Sequence, residues 1–418
     1  MARVAAAHLL SCGPYLTKPD KKVCQMTDPF AQAVDTPADE GLPLAGLKVV
    51  EFSHMVMGPA VGVILGDLGA EVIKVEPVGG DQTRNLLGSG AGYFPMFNRN
   101  KRSICLDLKS EDGLAAARAL CEQADIVIEN FRPGTLDRLG LGYEALKESN
   151  PRLLYCSAKG FLSGPYQNRT ALDEVTQMMG GLAYMTGPPG RPLRAGSSVI
   201  DITGAMFGVI GLLAALERRH RTGVGGYVKC SLYETTAFLV GQHVAQKAVT
   251  GKAAQPMPVR ISAWAIYDVF ETLHEGEQLF VGVVSDGQWV SFCKEFELAL
   301  GDEPDLAKNN QRVEARDRIL PIVREMFGNM ARADLIARLE KVGLPFAPIL
   351  RPDELSEDPH LLAEGGLLEV DIPGKGPARL PNLPLEIDGW RAALRHDLPA
   401  PGADGEAIMA ALSEEAGK

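Results

Sequence analysis

The seven cysteines include no Cys-x-x-Cys pair. This absence excludes the common zinc spacings and a dithiol redox motif, and it fits reduced thiols in a cytosol. No bound metal is expected. A basic excess is also missing: the formal net charge is -11, so no dominant basic face suggests the counterion release that drives nucleic-acid binding. Lys101-Arg102 and Arg218-Arg219-His220-Arg221 are local basic clusters that a small anionic ligand could use. No Gly-x-Gly-x-x-Gly follows the first strand, which argues against a dinucleotide cofactor. No uninterrupted apolar run suits a bilayer. The richest, residues 199–216, is broken by Asp201, Thr203 and glycines, so it is read as a buried helix in a chain with no membrane partner. No internal repeat is evident. A secretory signal is missing too: the weakly apolar residues 5–10 run straight into Asp20-Lys21-Lys22. Residues 1–42 are read as a disordered leader, with an upstream start before Met26 or a transit peptide as alternatives.

Ordinary globular composition is present instead, 46% apolar and 23% charged over 418 residues, enough for a large core and two domains. Four short apolar runs at 47–53, 71–76, 125–130 and 153–159 read as strands, and three of them end in polar loops rich in glycine and proline. A fifth strand is expected at 103–108. Gly58-Pro59 opens a helix closed by Gly69, and Ser110 caps another with Glu111 and Asp112 in its first turn. Helices are expected over 170–185 and 199–219, then a strand over 227–232. Gly88-Ser89-Gly90-Ala91-Gly92 follows no strand and reads as a mobile loop. Alternating strands and helices give an α/β fold with a doubly wound parallel sheet, whose ligands sit at the carboxyl ends of the strands. The expected layout is a large Rossmann-like domain over 43–235, a smaller α+β domain over 259–345 and a return to the large domain over 346–405.

The wording of the loops resembles the class III CoA-transferases, also called the CaiB/BaiF family. It rests on Gly46-Leu47-Lys48-Val49-Val50-Glu51-Phe52, Gly58-Pro59, Leu68-Gly69-Ala70-Glu71-Val72-Ile73-Lys74-Val75-Glu76-Pro77 and Asn98-Arg99-Asn100-Lys101-Arg102-Ser103-Ile104. It continues through Glu129-Asn130-Phe131-Arg132-Pro133-Gly134, Leu136-Asp137-Arg138-Leu139-Gly140, Leu213-Ala214-Ala215-Leu216 and Asp286-Gly287-Gln288-Trp289, in order, from about residue 44 to about residue 390. The resemblance implies an interlocked homodimer, located in the cytoplasm, acting on acyl-CoA and a small carboxylic acid, with CoA as substrate and no tightly bound cofactor.

It also implies that CoA meets His54, Val56 and Met57, Leu106, Asp107, Leu108 and Lys109, Asn130, Phe131 and Arg132, Arg138, and Arg169 and Thr170. Val56 departs from the formyl-CoA transferases, which carry glutamine there. Transfer between two acids must conserve thioester energy, which a protein carboxylate does by way of a mixed anhydride and an aspartyl thioester. Asp201, at the start of the apolar helix, is the candidate nucleophile, and Asp173 is the second catalytic candidate. Read without the family, Asp201 is a helix N-terminal cap. Arg191 and Arg194, just upstream, suit bidentate carboxylate binding and point to a dicarboxylic acyl group such as succinyl. Two alternatives stay open. One is a racemase of the α-methylacyl-CoA type, whose histidine position holds Leu172 here. The other is a non-catalytic acyl-CoA-binding subunit of a heteromer.

Overall fold

The computed structural model describes residues 41–260 and 262–416. Residues 1–40, on which most of the expected leader falls, lie outside the described residues. Six strands form one parallel sheet: β1 (Lys48–Phe52), β2 (Glu71–Glu76), β3 (Lys101–Cys105), β4 (Ile126–Glu129), β5 (Leu154–Lys159) and β6 (Gly226–Ser231). Their order is β3-β2-β1-β4-β5-β6, every neighbouring pair parallel. The order reverses between β1 and β4, and sheets of this kind bind ligands at the carboxyl ends of the strands at such a point.

Both faces of this sheet are covered, which is why its strands read as near-continuous apolar runs. On one face lie α1 (Met57–Asp67), α2 (Tyr93–Phe97) and the long α7 (Val199–Thr222); Val49, Ile126, Leu154 and Cys156 pack there against Val61, Leu65, Ala205 and Val209. On the other face, Val50, Ile73, Val127 and Tyr155 meet α3 (Glu111–Gln123) and α4 (Tyr143–Ser149) through Ala117, Leu120 and Leu146. Ser110 caps α3 as expected, its Oγ accepting from Gly113 N at 3.1 Å, a bond worth about 1 kcal/mol. Gly69 follows α1 at φ +107, a conformation that strains any L side chain.

Three expectations are corrected. The strand expected at 103–108 lies at Lys101–Cys105, because it starts directly after Asn100 at φ 57 and turns away at Asp107. The single helix expected over 170–185 is two, α5 (Asp173–Met179) and α6 (Leu182–Thr186). The break falls at Gly180-Gly181: a Cβ on Gly180 would lie 2.4 Å from Thr236 Cγ2, and Gly181 takes φ +86. The third concerns α7 (Val199–Thr222), which is 24 residues long and among the described residues is the one helix long and apolar enough to cross a membrane by length and composition. Its inner face packs on α1, β5 and β6, but a stripe of Met206, Ile210 and Leu213 on its outer side is exposed.

After β6 come α8 (Leu232–Leu239) and α9 (Gly241–Thr250). A three-stranded antiparallel sheet follows in the order β7 (Tyr267–Glu271), β8 (Gln278–Gly282), β9 (Phe346–Pro348). It packs with α10 (Asp286–Glu295), α11 (Asn309–Glu314), α12 (Arg316–Gly328) and α13 (Arg332–Lys341) around Phe270, Phe292, Phe327 and Leu339. The short α14 (Pro359–Leu362) leads to a separate hairpin, β10 (Leu367–Ile372) with β11 (Gly376–Pro381).

The chain then returns to the edge of the parallel sheet. Asn100 N donates to His396 O at 2.9 Å, Arg395 pairs with Glu71 at 2.9 Å, and Ser103 N donates to Asp404 Oδ2 at 2.8 Å. The last helix, α15 (Gly405–Ala416), places Ile408 and Leu412 in the core with Ala117 and Leu120.

Candidate active site

The loops leaving β1 and β4 are bound to each other where the strand order reverses. His54 N donates to Asn130 Oδ1 at 3.1 Å, and Asn130 Nδ2 donates to His54 O at 2.8 Å. Gly58 lets them close up, since a Cβ there would lie 2.5 Å from Ser53 Cβ and 2.9 Å from Asn130 Cγ. The His54 ring stacks on Phe131 with centroids 5.4 Å apart. Desolvation holds the imidazole below its ordinary pKa, against the opposing pull of the Asp81 charge.

The N-terminus of α7 reaches the same end of the sheet. Its far end is fixed by Arg219, which donates to Arg152 O at 3.2 Å and pairs with Asp125 at 2.9 Å, just before β5 and β4 begin. At about 1.5 Å per residue a helix of this length outruns the strands beneath it, so Val199, Ile200 and Asp201 stand at their carboxyl ends. Ser198 makes no side-chain cap for this helix. Asp173, from the first turn of α5, does so instead: its Oδ2 accepts from Ile200 N at 2.8 Å and Asp201 N at 3.1 Å. Gln177, one turn further along α5, donates to Asp173 Oδ1 and accepts from Ala195 N at 2.8 Å.

Two carboxylates are thereby set side by side in different roles. Asp173 is buried and accepts from three N–H donors. Asp201 is half-buried, and among the described residues no donor meets its side chain. Burial, and then the Asp173 charge, push its pKa up to about 7, with Arg194 pulling the other way. A carboxyl group of that pKa, open at a mouth formed by strand ends, can act as a nucleophile once ionised or exchange a proton near neutrality.

The other residues singled out in the sequence fall into three groups. Val56 and Met57 are buried in the core beneath α7 and Leu106 is buried in the core of the opposite face, so only their backbones can face a ligand. Asp107, Lys109, Arg132, Arg138, Arg169 and Thr170 lie on exposed loops at or beyond the carboxyl ends of β3, β4 and β5, and Leu108 is half-buried beside them. Arg191 is exposed, while Arg194 pairs with Glu174 at 2.7 Å. Along β5 and β6, on the side of α4, a cleft of about 230 Å³ runs from Tyr155 and Tyr227 to Lys159 and carries Arg132, Lys229 and Gln167 beside Tyr143, with Glu129, Asp137 and Glu144 also in its wall. The two tyrosine rings stack at 5.1 Å. Among the described residues no cluster of three His, Cys, Asp or Glu could hold a metal.

Several residues that build this site were not singled out in the sequence. Glu129 accepts from Lys159 Nζ at 2.7 Å and Phe131 N at 3.0 Å, which shapes the loop after β4. Gln177 could have been found from its place four residues after Asp173 on one helix face. Glu51 and Lys74 stand inside apolar strands, and a charge in such a run is the signal that was available; Lys101, read in the sequence as part of a basic pair open to an anion, is instead buried against Glu51.

The family model described as CoA-transferase family III matches residues 44–405. The acetyl-CoA:oxalate CoA-transferase of Acetobacter aceti is 34% identical over 387 residues, 88% of this chain and 99% of the relative. The succinate–glutarate CoA-transferase of Agrobacterium fabrum is 33% identical, over 86% of this chain and 92% of the relative. Among solved structures, a CaiB/BaiF family protein from Brucella suis superposes with a TM-score of 0.77 at 34% identity, covering 89% of this chain and 99% of its own.

Proposed function

The chain belongs to CoA-transferase family III, and from that premise we propose that Asp201 is the nucleophile through which it moves CoA between dicarboxylic acids. The observation carrying this reading is the Asp201 carboxylate itself, open at the N-terminus of α7 while Asp173 beside it is fully engaged. Ionised Asp201 attacks the thioester carbon of the donor; the C–S bond breaks, CoA leaves as thiolate and a mixed anhydride remains. The thiolate attacks the aspartyl carbonyl, the donor acid leaves as carboxylate, and an aspartyl thioester forms. The acceptor carboxylate displaces the thiolate from it, and the thiolate takes the acyl group from the new anhydride, which restores Asp201. No proton is consumed. Asp173 acts as a positioning residue, holding the backbone of Ile200 and Asp201.

The His54–Met57 turn would meet the thioester end of CoA. The cations of the cleft beside β5 and β6, with Arg138 nearby, suit its phosphates, and Tyr143 and Tyr227 offer an aromatic wall. Incubation with succinyl-CoA should leave a hydroxylamine-sensitive mass adduct on the peptide carrying Asp201. An adduct on any other residue sinks the assignment.

The relatives are named for oxalate, with acetyl-CoA as its partner, and for succinate with glutarate, so a dicarboxylic acid takes part in each transfer, and Arg194 interacts electrostatically with both Asp173 and Asp201. A dicarboxylic substrate whose far carboxylate meets Arg194 or Arg191 follows. Arg194→Ala should raise KM for a dicarboxylic acceptor about tenfold and leave a monocarboxylic one unchanged. An acceptor panel in which only monocarboxylates react, with the variant's kinetics unaltered, would end the idea.

We infer a homodimer from the exposed apolar face of α7, α8 and α9. Met206, Ile210 and Phe238 are 49%, 57% and 71% exposed in a single chain, and Phe207 and Phe238 meet edge to face at 5.3 Å, joining α7 to α8. A second copy is the partner proposed, in the interlocked arrangement its resemblance implies. Phe238→Glu should shift the sedimenting mass from two chains toward one; a wild-type chain that sediments as a monomer contradicts the inference.

One observation favours a second reading. A carboxyl with pKa about 7 is also suited to abstracting a proton α to a thioester, as in an acyl-CoA racemase. The position where that chemistry would place its histidine holds Leu172, exposed and apolar. Solvent deuterium entering the α-carbon without an acceptor acid would select this reading.

A further inference from the structure

Beneath the His54 turn runs a chain of buried charges that the transfer chemistry does not use. Lys101 Nζ lies 2.8 Å from Glu51 Oε2, and Lys74 Nζ lies 3.2 Å from Glu51 Oε1 and 3.2 Å from Asp81 Oδ2. Asp81 Oδ1 accepts from Thr83 Oγ1 at 2.7 Å, and Thr83 Oγ1 accepts from Met55 N at 3.0 Å. All five side chains are buried. Glu51 Oε2 and Asp81 Oδ2 receive no hydrogen bond of good geometry and are compensated by the lysine charges alone.

A sheet of this kind gains nothing in stability from such a chain, because desolvating the ions offsets their attraction and an apolar set would do as well. What the charges grip is informative. Each ammonium donates to a carbonyl flanking one turn: Lys74 to Ser53 O at 2.7 Å and Lys101 to Pro59 O at 2.9 Å. Thr83 holds the amide in the middle, that of Met55, which sits at φ 63. A non-glycine residue in that left-handed region is strained and persists only where its surroundings hold it. The opposite side of the turn is held by Asn130. Even α1 conforms to the chain, since a Cβ on Gly62 would lie 1.8 Å from Glu51 Oε2.

We propose that Lys101, Glu51, Lys74, Asp81 and Thr83 form a positioning relay that fixes the 53–57 turn against the reacting thioester. None of them touches substrate; they act through the turn, keeping His54 and the backbone of Val56 and Met57 from relaxing out of the left-handed bend. Misplacing a positioning element by about 1 Å costs on the order of a hundredfold in rate. The relay rests on the reading that the turn meets the thioester end of CoA.

Thr83→Val keeps the shape of the side chain and removes both of its hydrogen bonds; Thr83→Ser keeps the hydroxyl. With the full chain and the acyl-CoA that the wild type uses best from a dicarboxylic panel, Thr83→Val should lower kcat about tenfold, change KM less than twofold and melt within about 2 °C of wild type. Thr83→Ser should stay within twofold of wild-type kcat. An unchanged kcat in Thr83→Val, or an equal loss in Thr83→Ser, overturns the relay. Asp201→Asn run alongside separates the two ideas. If it stays active while Thr83→Val loses rate, the nucleophile is wrong and the relay stands; if it is dead while Thr83→Val is unaffected, the relay alone is wrong.

Discussion

Asp201→Asn should lower CoA transfer by about 10³-fold or more, with acyl-CoA still bound, and should abolish the hydroxylamine-sensitive adduct. Losses of that size are ordinary when an attacking group is removed, and asparagine keeps the volume and place of the side chain. In the wild type, the rate should rise with pH through about 7 as Asp201 ionises. The same variant should also be more stable than wild type at pH 8. Burial and the Asp173 charge raise the Asp201 pKa in the folded chain from 3.8 to about 7, so the native state binds the proton more tightly than the unfolded one. Its contribution to stability is full below pH 4 and is lost as pH rises through 7. Melts of the two proteins should therefore coincide near pH 4 and separate progressively toward pH 8, with the inactive variant the higher. A variant that keeps a tenth of the wild-type rate, or melts lower at pH 8, contradicts the assignment.

Lys74→Met should be the most destabilising single change in the sheet. It leaves Glu51 and Asp81 buried with only Lys101 to oppose two negative charges, and breaking a buried pair from one side costs about 3–5 kcal/mol. For a chain of this size that corresponds to a fall in Tm of roughly 3–6 °C. Adding Glu51→Gln should recover part of the loss, because the stranded charge goes with its partner. Thermal melts of the single and double variants read this directly. A single variant within 1 °C of wild type, or a double variant worse than the single, would mean that the charges are not coupled as their distances imply.

Much of the architecture was legible because it rests on local signals. The run Glu71-Val72-Ile73-Lys74-Val75-Glu76 is a strand to the residue, and Ser110 and Gly69 mark helix ends through their own chemistry. What failed depended on partners distant in sequence. No periodicity in 170–185 announces that Thr236 will occupy the space where a side chain at Gly180 would go. The outer stripe of α7 reads as core because apolar pattern does not say which face a single chain covers. At the site, Asp173 and Asp201 could both be named from the sequence, but not their relation. That one caps the helix carrying the other follows from hydrogen bonds across 27 and 28 residues. Lys74 and Lys101 stand in strands, but only the fold shows that both are buried and close on one turn.

The seam between Ser103 and Asp404 joins residues 301 positions apart. Strand β3 is an edge strand, and an uncovered edge invites pairing with other chains. During synthesis that edge is made about 300 residues before the segment that seals it. Contacts of such long range are slow to form, so the nascent protein passes through an extended interval in which its principal sheet is open on one side. The segment around Asp404 thus serves as a late fastening of a sheet begun long before it, and whatever detains it keeps that edge exposed.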